Sequence, residues 1–207
     1  DSVDQNETTA FTFYVTEDSA PSADAHTSSV MHFYRSSLGG PSHIYAGLFG
    51  PLIVTRAGAA GNDGVPLDVD REFVTVLWVG NENESPYWSL SNAARAGISS
   101  EESELNADED LIESNLMHSI NGMVYCNLPG LLLEKGPSRT RWYAGALGNE
   151  VDLHTLHWHN MVGVTLGGFH ADSVRLLADS TETLDFTPRE SGTWLLHCHI
   201  DGTLNSC

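Results

Sequence analysis

The sequence predicts an all-β chain built as a Greek-key β-sandwich, and three observations lead to this prediction. Short apolar runs recur along the chain, and several of them alternate polar and apolar residues as half-buried strands do. Nineteen Gly and eight Pro residues supply turn signals between the runs. The sequence contains no heptad pattern, solenoid repeat or Gly-rich phosphate loop. Short strands with turns at this density are typical of a sandwich.

The first segment contains about three predicted strands, fewer than the seven or more of a complete sandwich of this type. These strands cover residues 10–16, 29–34 and 48–55. Pro51 places the third strand near a sheet edge or a bulge, because proline donates no ladder hydrogen bond. The polar residues 17–27 predict a loop, and the small residues 57–64 predict a linker. We therefore expect residues 1–60 to be the C-terminal part of one domain.

Residues 61–207 are predicted to form a second, nearly complete domain. Its predicted strands cover residues 71–79, 117–125, 141–143, 153–158, 183–186 and 193–197. Residues 99–113 are strongly acidic and poor in apolar side chains, which predicts a long surface loop with room for one helical turn.

The charge of the chain restricts the classes of partner that it can bind. The formal net charge is −19, from 28 acidic and 9 basic residues, so nucleic acid is excluded as a partner and cations or a basic protein are favoured. No run approaches the roughly 18 apolar residues of a membrane helix, so we expect no membrane span. Two sequons, Asn6-Glu7-Thr8 and Asn83-Glu84-Ser85, are expected on surface loops if the chain is secreted.

Three cysteines are too few for a disulfide framework. Cys198 lies between two histidines, which suits a metal ligand. Cys126 and Cys207 are candidates for a disulfide, and the sequence leaves this pairing open.

Two histidine-rich motifs carry the main chemical signal, His154-Thr-Leu-His157-Trp-His159 and His197-Cys198-His199. Side chains alternate between the two faces of a strand, so each motif presents ligands to both faces. One face is expected to collect the imidazoles of His157, His159, His197 and His199. The opposite face is expected to collect the side chains of His154 and Cys198. Imidazoles with a thiolate suit a blue copper site, and a cluster of imidazoles suits copper that binds oxygen species.

These motifs resemble the multicopper oxidases, specifically the ferroxidases of the ceruloplasmin–hephaestin type, which are rings of six cupredoxin domains. The resemblance covers almost the whole chain, and three further segments carry it: Tyr45-Ala-Gly-Leu-Phe-Gly-Pro-Leu-Ile-Val54, Glu113-Ser-Asn-Leu-Met-His118-Ser-Ile-Asn-Gly122 and Gly148-Asn-Glu150-Val-Asp-Leu-His154. It implies a cupredoxin-like sandwich, with part of the fifth domain and most of the sixth. The related coagulation-factor A domains share this scaffold, but we do not expect them to keep all these histidines.

The resemblance also implies roles for the ligands. His154 and Cys198 resemble ligands of the blue copper, and His157 resembles the ligand of the type 2 copper in a trinuclear cluster. The type 3 pair of that cluster is matched by His159, His197 and His199. Electrons taken singly from substrate are expected to pass from Cys198 through its flanking histidines, and four of them reduce dioxygen to water.

An iron site beside the blue copper is implied by the same resemblance, with Glu113, His118 and Glu150 at the matching positions. Carboxylates favour ferric over ferrous iron, which assists oxidation of Fe(II). The acidic residues 101–113 are expected to raise the local cation concentration. We therefore expect a secreted or cell-surface glycoprotein whose substrates are Fe(II) and dioxygen.

The sequence departs from the family pattern near its end. Thr203 stands where the second histidine of the blue copper is expected, and the axial ligand would follow Cys207. Gly202 stands where ferroxidases often place a fourth iron ligand, although Asp201 is adjacent. The trinuclear cluster also needs two His-X-His pairs, and the nearest local equivalent, residues 35–37, contains no histidine. We therefore expect further cupredoxin domains or chains to complete the cluster, and the chain alone to be inactive.

Two explanations of these departures stay open: a piece of a larger oxidase, and a degenerate relative that keeps the scaffold. A non-catalytic scaffold or interaction protein is accordingly the first alternative function. A laccase-like oxidase of organic substrates is the second, and the acidic iron residues argue against it.

Overall fold

A computed structural model describes residues 3–4, 6–88, 109–148 and 153–199. Within these ranges the chain forms eleven strands, two short α-helices and two 3-10 helices. The strands are β1 (Ser29–Arg35), β2 (Phe49–Thr55), β3 (Arg71–Asn81), β4 (Leu116–Ile120), β5 (Thr140–Leu147), β6 (His154–Trp158), β7 (Gly163–Thr165), β8 (His170–Ala171), β9 (Ser173–Leu176), β10 (Thr181–Phe186) and β11 (Leu196–Cys198). The helices are α1 (Pro41–Tyr45), α2 (Glu109–Ser114) and the 3-10 helices Glu17–Ser19 and Glu82–Glu84. The all-β prediction is confirmed.

The strands form three sheets. A six-stranded sheet has the order β4-β3-β5-β10-β7-β8, a three-stranded sheet has the order β11-β6-β9, and β1 pairs with β2. The β3–β5 pairing is parallel and the other pairings are antiparallel. Strand β5 lies inside the large sheet, and all of its residues are buried. This central position explains why the strand consists largely of aromatic and small residues.

The core lies between the six-stranded and three-stranded sheets. Leu77, Trp142 and Leu184 come from the large sheet, while Leu156 and Cys198 come from the small one. Aromatic rings fill the space between the sheets, with ring centroids 5.7 Å apart for Trp142–Trp158 and 5.2 Å apart for Trp158–Phe186. The thiol of Cys198 therefore belongs to a packed interior.

The β1–β2 hairpin packs on β5 and β10. Met31 of β1 is fully buried, and the hydroxyl of Thr181 donates to its carbonyl at 2.8 Å. Gly145 of β5 permits this approach, since a Cβ there would lie 2.6 Å from the ends of the Met31 and Phe33 side chains. The hairpin is therefore part of the folded unit around β5.

A buried polar network joins the same two parts of the chain. The Arg141 guanidinium is fully buried and makes a bidentate pair with Asp185, with N–O distances of 2.8 and 2.9 Å. It also donates to Asp68 and to the hydroxyls of Ser28 and Ser29. Burial alone would raise the pKa of Asp68, but hydrogen bonds from Arg141 and Ser28 outweigh it and lower that pKa to about 2. The two aspartates thus neutralise a cation that burial would otherwise penalise.

The predicted strand at residues 10–16 is wrong. These residues adopt no regular structure, and their apolar side chains are exposed, with Tyr14 at 91%. The alternating pattern is present, but a strand also needs a neighbour for its backbone groups, and none of the described strands pairs with this segment.

Other strand boundaries differ from the prediction at a turn and at a run of small residues. The predicted run 117–125 ends at Ile120, where Asn121 and Gly122 have positive φ values of 53° and 76° and form a turn. Strand β5 is longer than the predicted 141–143, since Ala and Gly residues continue it. Strands β7, β8 and β9 were not predicted.

The helical turn predicted within residues 99–113 is present as α2, and residues 99–108 lie outside the described ranges. None of the described helices is long and apolar enough to cross a membrane. The division into residues 1–60 and 61–207 stays a prediction.

Candidate metal centre

Strand pairing brings the two histidine motifs together. Strands β6 and β11 are antiparallel neighbours, with His197 opposite His157 and Cys198 opposite Leu156. Two backbone hydrogen bonds extend this ladder, from His159 N to the Leu195 carbonyl at 3.0 Å and from His199 N to the Thr155 carbonyl at 2.8 Å. The motifs, about 40 residues apart in sequence, therefore lie side by side in a defined register.

Three imidazoles converge on one face of this strand pair. Ring nitrogens of His157, His159 and His197 all lie within 4.8 Å of one another. The His197 Nε2 lies 3.0 Å from His159 Nε2 and 3.3 Å from His157 Nδ1. The His199 ring borders the group, with its centroid 5.5 Å from that of His157 and 5.4 Å from that of His197. The structure thus brings together the four imidazoles assigned to one face.

The orientation of His197 suits a metal ligand. Its Nδ1 lies 3.0 Å from the Cys198 carbonyl and donates to it, which leaves the Nε2 lone pair directed at the other two imidazoles. Such a hydrogen bond to a carbonyl fixes the tautomer of many metal-binding histidines. Burial lowers the pKa of His197, and repulsion from the neighbouring imidazoles lowers it further. The neutral, ligating form is therefore favoured.

The opposite face of the strand pair holds Cys198 and His154, both buried at 2% and 5% exposure. The Cys198 Sγ lies 3.8 Å from His154 Nδ1, and the Thr155 amide approaches the same sulfur at 3.5 Å. Cys198 forms no disulfide. The buried His154 Nε2 has no hydrogen-bond partner among the described residues. A thiol and an imidazole nitrogen at this separation fit two ligands of one copper ion.

Glu113 and His118 line a common cavity of about 190 Å³ beside the start of β4. The His118 Nδ1 is buried and has no hydrogen-bond partner in the part of the chain that the structure describes. Met117 and Tyr125 line the same cavity, although neither is among the predicted site residues. Tyr125 follows the Asn121–Gly122 turn, and that turn was the one signal that it folds back here. Glu150, the third predicted iron residue, lies outside the described residues.

The histidines outside the proposed metal sites, the remaining cysteines and residues 201–203 are considered last. Four histidines, His26, His32, His43 and His170, lie outside the copper motifs and the proposed iron set. Three of them make hydrogen bonds within the fold, His26 with Arg139, His32 with the Ser19 carbonyl and His43 with Ser36. Cys126 is in a disulfide, while Cys207 lies outside the described residues. Asp201, Gly202 and Thr203, which the family pattern singles out, lie outside them as well.

Curated proteins related to the chain include hephaestin, ceruloplasmin and a protein named as a ferroxidase. Human hephaestin is 34% identical over 197 residues, which is 94% of this chain and 17% of the relative. Mouse ferroxidase HEPHL1 is 37% identical over 164 residues, covering 78% and 14%. Rat ceruloplasmin is 37% identical over 169 residues, covering 81% and 16%. The chain thus spans about one sixth of the length of these relatives. No protein-family model matches it.

Solved structures share the fold at lower identity. A copper nitrite reductase from Nitrosomonas europaea has a TM-score of 0.57 at 21% identity, covering 82% of this chain and 56% of its own. The multicopper oxidase mgLAC has a TM-score of 0.55 at 16% identity, covering 83% and 50%. These likenesses confirm the predicted cupredoxin-like sandwich.

Proposed function

The chain belongs to the ferroxidase-type multicopper oxidases, and on that premise we propose that it is a segment of a copper-dependent enzyme that oxidises Fe(II) to Fe(III) and reduces dioxygen to water. One observation carries the proposal. Three imidazoles converge on one face of the β6–β11 pair while the Cys198 thiol and the His154 imidazole meet on the other. Two ligand sets of different chemistry thus lie on opposite sides of the same two strands.

The donor sets support copper at both faces. Cys198 and His154 would hold a blue copper ion, and His157, His159, His197 and His199 would contribute to a trinuclear cluster. Copper bound there supplies one-electron transfer and the reduction of dioxygen. The chain's own contribution is positioning, because His197 and His199 are bonded directly to Cys198. Core packing around Cys198 excludes water from the thiol, and the Thr155 amide orients it.

Iron is the proposed substrate, and Glu113 with His118 would bind it. Both residues line the same cavity, and the buried His118 Nδ1 suits a ligand. A carboxylate stabilises the ferric product more than the ferrous substrate, which favours electron loss. This cavity distinguishes the proposal from a laccase-like oxidase of organic donors. Glu150 completes the proposed set.

The imidazole face, formed by His157, His159, His197 and His199, is open to ligands from elsewhere. Its rings are partly exposed, and His199 is exposed, so further cupredoxin domains or chains have access to the cluster. We assign the protein to the extracellular space or the cell surface, since relatives of the ferroxidase type and the exposed Asn6 sequon both fit a secreted glycoprotein.

Glu113→Ala in the parent oxidase tests the iron assignment. We expect Fe(II) oxidation to fall by at least about 10- to 100-fold, because removing even a hydrogen-bonding partner behind a metal ligand typically causes a loss of that size. Oxidation of the bulky donor p-phenylenediamine should stay unchanged. Glu109→Ala is the matched control, because Glu109 belongs to the same helix and does not line the cavity. Equal loss of both activities would refute the iron site, and a copper-free, colourless native protein would favour the non-catalytic scaffold.

A further inference from the structure

The second sequon, Asn83-Glu84-Ser85, lies in the 3-10 helix that follows β3, and its asparagine is only partly exposed. The Asn83 Nδ2 donates to Asn81 Oδ1 at 3.0 Å and to the Ile112 carbonyl at 2.9 Å. An asparagine amide has two N–H donors, so both are used. A glycan on Nδ2 would replace one of these hydrogens and remove one of the two bonds.

The acceptor side of the same amide is also occupied. Asn83 Oδ1 accepts from Asn115 Nδ2 at 2.9 Å and from Trp88 Nε1 at 3.2 Å. Asn115 is 1% exposed, so its partner must come from the protein. Asn83 therefore links the end of β3 to two residues, Ile112 and Asn115, on the neighbouring segment.

Glu113 lies between those two residues. The Ile112 carbonyl and the Asn115 amide are both held by Asn83, and the Glu82 amide donates to the Asn115 carbonyl at 3.0 Å. The backbone that carries Glu113 is thus tied to the end of β3. His118 is set by the same strand, since it pairs with Val79 of β3. Both proposed iron ligands are therefore held by the end of β3. Backbone pairing holds His118, and the side chain of Asn83 holds the backbone on either side of Glu113.

We propose that Asn83 is a positioning residue of the iron site and carries no glycan. The proposal rests on the proposed function, because it assumes that Glu113 binds iron. Asn83 acts by holding the Ile112–Asn115 backbone so that the Glu113 carboxylate faces the cavity it shares with His118. Hydrogen-bonding partners behind a ligand typically change metal affinity by about 10- to 100-fold when removed.

The test uses the full chain secreted from cultured animal cells, with Tb³⁺ luminescence as the probe for a hard trivalent cation. Asn83→Ala should weaken the Glu113-dependent Tb³⁺ binding by about 10- to 100-fold. Ser85→Ala is the matched control, because it destroys the sequon and leaves the Asn83 amide in place. It should bind Tb³⁺ as the wild type does. Mass mapping after deglycosylation should show no glycan at Asn83, and Co²⁺ binding at His157, His159 and His197 should not change in any variant.

The other possible results overturn either the role of Asn83 or the iron site itself. A glycan at Asn83, or equal loss in Ser85→Ala and Asn83→Ala, overturns the proposal. Loss of Co²⁺ binding together with Tb³⁺ binding in Asn83→Ala also overturns it, because Asn83 would then support the whole fold. If Glu113→Ala weakens Tb³⁺ binding and Asn83→Ala does not, the iron site stands and the role of Asn83 falls. If Glu113→Ala leaves Tb³⁺ binding unchanged, the iron site itself fails.

Discussion

Arg141→Met removes the cation at the centre of the buried polar network. The substitution keeps a long unbranched side chain, so the change in packing is small compared with the change in charge. Arg141 is fully buried, and its partner Asp185 is 5% exposed. Without the guanidinium, Asp185 keeps only the contacts from Arg139 and His26 among the described residues. The carboxylate then stays in the interior with much of its compensation gone.

The expected loss in the free energy of unfolding follows from this geometry. Breaking a buried ion pair by removing one partner typically costs about 3–5 kcal/mol. The remaining contact from Arg139 places Arg141→Met near the lower end, at about 3 kcal/mol. Urea denaturation followed by tryptophan fluorescence measures this loss directly. Trp142, next to Arg141 in β5, and Trp158 of β6 are both buried in the folded chain and become exposed on unfolding.

Arg35→Met is the matched control. Arg35 donates to Asp179 at 2.6 Å, but these two side chains are 45% and 42% exposed. Exposed pairs contribute at most about 1 kcal/mol. If the two substitutions destabilise the protein equally, burial is not what makes the Arg141 network strong, and the reasoning is refuted.

Three further predictions concern acid stability, packing and metal binding. The pKa of Asp68 is lowered from 3.8 to about 2, so its contribution is present above pH 3.8 and lost as the pH falls towards 2. Asp68→Asn should remove about 1 kcal/mol of that pH dependence, a value reduced for the solvent screening of this one-third exposed side chain. Acid denaturation curves identical to those of the wild type would contradict this prediction. Gly145→Ala should destabilise the chain by about 1–3 kcal/mol in urea denaturation, because the new Cβ meets the buried Met31; a neutral effect would show that β1 shifts freely. His157→Ala should abolish the Co²⁺ absorption bands of the imidazole cluster, and substitution of the exposed His170 of β8 by Ala should not; equal loss would contradict the assigned cluster.

Residue spacing predicted much of the candidate site because strand alternation is a local rule. His157 and His159 are two residues apart, as are His197 and His199, so each pair must share a strand face. Which strands would become neighbours is not local information. The antiparallel register that sets His197 opposite His157 depends on pairing across the small sheet, and the resemblance to known oxidases supplied what spacing alone lacks.

The missed features have a common physical reason. The segment 10–16 has the pattern of a strand, but pairing depends on a partner elsewhere in space. Asn83 lies in a sequon, and its hydrogen bonds reach Ile112 and Asn115 about 30 residues away. Strands β7 and β8 are only three and two residues long, too short for any periodicity to register. In each case tertiary contacts decide a structure that local sequence leaves open.

The register of β11 against β6 determines both proposed copper environments at once. A slip of one residue would turn the Cys198 thiol to the imidazole face and turn His197 into the core. Core packing opposes that slip, because Leu156, Trp158 and Cys198 are buried in the same cluster. The cost of exposing these apolar side chains therefore also holds the ligands in place. Packing of the hydrophobic face of the β6–β11 pair therefore positions the proposed copper ligands on both faces of these strands.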